Sequence, residues 1–84
     1  MEAQVSIDYC EERFKRNLRS AKAEFIYSPT IDKMLERPER LVPPEAQKLY
    51  AFVKFCEQED RLEIPICKEV IRVLKEYERR VMPR

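Results

Sequence analysis

The sequence predicts an all-α fold, a small bundle of three main helices plus one short helix, folded as a single domain over residues 1–84. Three observations predict it. Apolar residues recur at three- and four-residue spacing in three separate runs, the period of a helix with one face buried. Glycine is absent, where average usage of about 7% leads one to expect roughly six in this length. The six prolines stand at the edges of the runs, and proline starts helices well but cannot continue them.

In the first run Ile7, Cys10, Phe14, Leu18, Ala21 and Phe25 step by three or four residues, which predicts a helix over 7–27. Ser6 or Asp8 is placed to cap it, Asp8 being followed three positions later by Glu11 as in a capping box. Its polar side pairs Glu11 with Lys15 and Glu12 with Arg16 in the favourable order. Ser28-Pro29 then signals a second, short helix over 29–36 with Ile31, Met34 and Leu35 on its apolar face, stopped by Pro38. Pro38 to Pro44 reads as an extended connector, because a residue before proline is pushed out of the helical region. It lacks a clean PxxP repeat, so a stiff linker with Leu41 and Val42 tucked on the core is preferred to a proline-rich ligand.

The third helix, over 44–60, is expected at the centre of the bundle. Ala46, Leu49, Phe52, Val53 and Cys56 line one face, with Tyr50 at its edge, while Ala51, Phe55 and Leu62 fall on the other side. A helix with two apolar stripes needs two neighbours. The acidic group Glu57-Gln58-Glu59-Asp60 lacks alternating Asp/Asn spacing and a glycine, so it reads as a solvated turn rather than a cation site. Leu62-Glu63-Ile64 leads into a last helix over 65–81, with Ile66, Val70, Val73, Leu74, Tyr77 and Val81 as its stripe and Cys67 and Ile71 widening it. Sequential helices joined by short connections are expected to run antiparallel. The expected core is Phe14, Leu18, Phe25, Leu49, Val53, Cys56, Val70, Leu74 and Tyr77.

Composition removes several function classes. Without glycine there is no P-loop, dinucleotide fingerprint, nucleophile elbow or standard EF-hand turn. Histidine is also absent, which takes away the commonest general base and metal ligand at neutral pH. Lys54, Glu57 and Tyr50 would line a cleft only if packing converged them, so no enzyme, cofactor or metal is expected. The three cysteines, Cys10, Cys56 and Cys67, form no CxxC pair and sit at apolar helical positions, which reads as reduced thiols in a cytoplasmic protein. No apolar run approaches the length of a membrane span and no signal-peptide pattern is present.

Two constellations remain. Ala51, Phe55 and Leu62 form a surplus apolar stripe, and a domain this small commonly gains stability by association. The leading expectation is therefore a non-catalytic protein–protein interaction module, a small adaptor or regulator that forms a dimer or higher homo-oligomer, or binds another helical protein, through the helix around Phe55. The alternative is nucleic-acid binding. Lys68, Arg72, Lys75 and Arg79 are spaced to stand in line on the last helix, with Lys15, Arg19 and Lys22 in a shorter row on the first. Against it stand Glu69, Glu76, Glu11 and Glu12 beside those rows, the balance of 17 Lys+Arg against 16 Asp+Glu, and the lack of interleaved aromatics.

Overall fold

A computed structural model describes the backbone of residues 2–22 and 29–81, and the side chains of 11–22 and 31–81. Four α-helices occupy it: α1 (Glu2–Ser20), α2 (Pro29–Glu36), α3 (Pro43–Gln58) and α4 (Pro65–Val81), with a 3₁₀ turn over Pro38–Arg40 between α2 and α3. The fold is all-α, three main helices and one short one.

The first helix begins earlier and ends earlier than its apolar spacing predicts. Glu2, Ala3 and Gln4 are strong helix formers with no breaker behind them, so the helix runs through Ser6 and Asp8, which lie inside it rather than capping it. It stops at Ser20, where the Ser20 hydroxyl donates to the Asn17 carbonyl at 3.1 Å and Ala21 N–H bonds Leu18 C=O at 3.2 Å, tightening the last turn. Lys54 on α3 donates to the Arg19 carbonyl at 2.7 Å and satisfies one of the orphan acceptors of this end. Phe25 and Tyr27, predicted in the same helix, lie outside the described residues.

The connector departs from the extended chain expected of it. Pro38 has a fixed φ that suits a 3₁₀ turn, and Leu41 N–H returns to the Pro38 carbonyl at 3.2 Å. Extended backbone is confined to Leu41 and Val42. Leu41 is buried in the core, whereas Val42, expected beside it, is 46% exposed. Both Pro43 and Pro44 sit in the first turn of α3, and the Glu45 carboxylate reaches back to accept the Val42 N–H at 3.4 Å, one half of a capping box.

The end of α3 shows how a chain without glycine turns a corner. Asp60 adopts a left-handed conformation, φ 58°. Arg61 N–H bonds the Cys56 carbonyl at 2.7 Å and Asp60 N–H bonds that of Glu57 at 3.2 Å, the two bonds of a Schellman cap. A short connector follows, and Pro65 opens α4 as the sequence predicts.

The centre of the bundle is α4, not α3. It packs against α1, α2, α3 and the 3₁₀ turn, because its broad stripe of Cys67, Val70, Val73, Leu74 and Tyr77 is buried along the whole helix. Tyr50, midway along α3, meets Glu78, late in α4, while Cys56 near the end of α3 meets Cys67 near the start of α4; the two helices are antiparallel. Along α1, Glu11 meets Lys75 and Asn17 meets Glu78, and Phe14 meets Tyr50 before Arg19 meets Lys54. Contacts thus advance in the same sense on both helices of an antiparallel pair, so α1 lies across the pair rather than along it. Phe14, Ala21, Ile31, Met34, Leu41, Leu49, Val53 and Leu74 join in one core, with Leu18 packed partly buried against it.

Candidate functional site

The outward side of α3 is built by its own periodicity. Pro44, Lys48, Ala51, Phe55 and Gln58 follow one another at spacings of four and three, the seam of a heptad pattern. Leu49, Val53 and Cys56 point the other way and are sealed in the core, while Ala51 and Phe55 stay half-buried and Pro44, Lys48 and Gln58 are exposed. The third residue predicted for this stripe leaves it. Leu62 lies beyond the Asp60 turn, in the α3–α4 connector, because the helix ends at Gln58; it is 37% exposed, as is Ile64 beside it. The apolar surface is therefore a short helical row of Ala51 and Phe55 plus a separate corner of Leu62 and Ile64.

The cations predicted to bind phosphate divide into two groups. On α4 all four are engaged by carboxylates: Lys68 with Glu63 at 3.2 Å, Arg72 with Glu69 at 2.6 Å, Lys75 with Glu11 at 2.8 Å and Arg79 with Glu76 at 3.5 Å. These pairs are mostly exposed and individually weak, yet each sets a negative charge where a phosphate would have to come. The Arg72 guanidinium holds the Glu69 carboxyl below its usual range, and the Lys75 ammonium does the same for Glu11. Lys75 also lies over the Phe14 ring, 5.6 Å from its centre. The two predicted rows are on neighbouring helices, but the residue at their seam is thereby committed. On α1, Lys15 and Arg19 are exposed and form no ion pair among the described residues. Lys22 falls past the helix end, so the shorter row is interrupted.

A polar cluster that apolar spacing does not predict sits at the crossing of α1, α3 and α4. Glu78 is 1% exposed. Its Oε2 accepts from Asn17 Nδ2 at 2.8 Å and from the Tyr50 hydroxyl, and Asn17 Nδ2 also approaches the Tyr50 oxygen at 3.2 Å. Oε1 is enclosed and has no hydrogen-bond partner among the described residues. Burial pushes the Glu78 carboxyl above the ordinary carboxylate range, against the opposing pull of Tyr50, Asn17 and Arg13. Burial, and then the Glu78 carboxylate, likewise push the Tyr50 hydroxyl up. The signal is present in the sequence: Glu78 follows Leu74 by four residues and Val70 by eight, inside the apolar arc of α4. Val81, expected on that stripe, is 46% exposed instead. A carboxyl and a phenol are acid–base groups, but here three helices enclose them, and their hydrogen bonds tie α1, α3 and α4 together at the crossing.

The two thiols of α3 and α4, Cys56 and Cys67, are buried and unbridged. Burial, with the neighbouring Cys56, pushes the Cys67 thiol up to about 12, which keeps it protonated and unreactive at neutral pH. Among the described residues no group of three or more Cys, Asp or Glu side chains is placed to hold a metal, and no helix is long and apolar enough to cross a membrane. Comparison of the chain with known protein families, with curated proteins and with solved structures finds no match.

Proposed function

We propose that this chain is a non-catalytic helical interaction module, a small adaptor or regulator that self-associates through the face of α3 around Phe55. The observation that supports this reading is the half-burial of Ala51 and Phe55 on a heptad seam, directly behind a face of the same helix that is sealed. A buried aromatic anchor of this kind dominates the energetics of helix interfaces. Leu62 and Ile64 add exposed apolar surface at the adjoining corner. The same reading assigns the module to the cytoplasm, supported by two buried thiols that remain unbridged.

Nucleic-acid binding is the weaker reading. It retains Lys15 and Arg19, which form no ion pair among the described residues, but its longer row is matched by a carboxylate at every position. Sedimentation or light scattering at micromolar concentration decides the main proposal. A dimer or higher species is expected, and Phe55→Glu is expected to reduce it to a monomer with its helical content unchanged. A wild-type monomer under these conditions overturns the proposal.

A further inference from the structure

We infer that the occupant of the α3 face is a second copy of this chain, related by a two-fold axis parallel to the helix, so that the two α3 helices run in the same direction. This rests on the self-association proposed above and specifies its geometry. Two helices meeting along a heptad seam can lie parallel or antiparallel, and the charges beside the seam discriminate between them. With Ala51 and Phe55 at the seam, Lys54 flanks it on the side that faces α1, where it reaches Arg19. Glu59, exposed, flanks it on the other side, five residues further on. In a parallel pair each flank meets the opposite flank of the other copy, which sets Lys54 against the second copy's Glu59 twice over. An antiparallel pair matches like flanks, Lys54 with Lys54 and Glu45 with Glu59.

The corner residues point the same way. Leu62 and Ile64, each 37% exposed, lie at the C-terminal end of α3. A parallel pair sets both corners at the same end of the dimer; an antiparallel pair leaves them at opposite ends. The cost is the approach of Glu57 and Asp60 from the two copies, while Glu63 is already matched by Lys68 at 3.2 Å. Lys48 and Gln58 also meet their own copies across the seam, two polar layers of the kind that set register at some expense of affinity.

Cysteine cross-linking tests the direction. Lys48→Cys and Gln58→Cys, both at exposed seam positions, are made separately, oxidised under mild conditions and run on a non-reducing gel beside the wild type. In the parallel pair each variant cross-links to itself, well above the wild-type background. If the protein is dimeric by light scattering but only a mixture of the two variants cross-links, the parallel geometry is overturned and self-association stands. A monomer overturns both. Glu59→Lys is expected to weaken the dimer about fivefold, and adding Lys54→Glu restores it; because Lys54 also holds the Arg19 carbonyl at the end of α1, the variants are compared at equal helical content, and a folded double variant weaker than the single one counts against the assigned pairs.

Discussion

Glu78 is the residue whose environment departs furthest from its chemistry. A carboxylate enclosed by three helices, with one oxygen unpartnered among the described residues, loses hydration that two donors only partly replace. Its pKa is raised on folding, so the native state binds the proton more tightly than the unfolded chain does. The stability this contributes is fully present below the ordinary carboxylate pKa and is lost as pH rises through the elevated native value. Glu11 and Glu69 act in the opposite sense. Their lowered pKa values contribute stability above the ordinary carboxylate value that is lost as pH falls through their native ones, and both are exposed enough for that contribution to be small. Glu78→Gln keeps an acceptor for Tyr50 and Asn17 and removes the titrating charge. Urea unfolding from about pH 5 to pH 8 is expected to find the variant more stable than wild type at the alkaline end and the gap closing at the acid end. A gap that widens on acidification would show that Glu78 is held charged.

At the scale of elements, this chain announces where helices start and conceals where they stop. Pro29, Pro43, Pro44 and Pro65 sit in the first turns of α2, α3 and α4, because a fixed φ and a missing N–H are harmless only there. Helix ends usually carry glycine in a left-handed conformation, and this sequence has none. That signal was therefore missing at the end of α3, where Asp60 takes the conformation at φ 58°. A side chain there is strained by about 1 kcal/mol or more relative to glycine. Asp60→Gly is expected to stabilise the fold by roughly 0.4–1 kcal/mol, and Asp60→Val to destabilise it by about 1–2 kcal/mol. The midpoint of thermal unfolding, compared with that of wild type, checks both signs. The end of α1 is hidden for a different reason. It depends on a local hydroxyl bond from Ser20 and on Lys54 from another helix, and the apolar spacing continues beyond it.

At the scale of the whole molecule, legibility follows sequence distance. The sealed face of α3 and the Ala51–Phe55 part of its second face can be read from spacing alone, as can the pairs Arg72 with Glu69 and Arg79 with Glu76, which are three residues apart. The Lys75–Glu11 pair and the enclosure of Glu78 join α1 to α4 and exist only once α1 lies across the hairpin. The same distance explains why α3 looks central in the sequence and is peripheral in space. Its two stripes suggest two neighbours within the chain, and it has them in α1 and α4, yet Ala51 and Phe55 stay only half-buried because α4 takes the core role. If a second copy covers that stripe, folding and association are linked. The native state then gains from protein concentration by mass action, about 1.4 kcal/mol per dimer for each tenfold increase. For a domain of this size the thermal midpoint should rise by a few degrees over each tenfold step. Phe55→Glu should melt at one temperature across the same range. A wild-type midpoint that stays fixed over a hundredfold range of concentration would leave the α3 face a solvated surface, and the apolar pair Ala51 and Phe55 would then be tolerated rather than used.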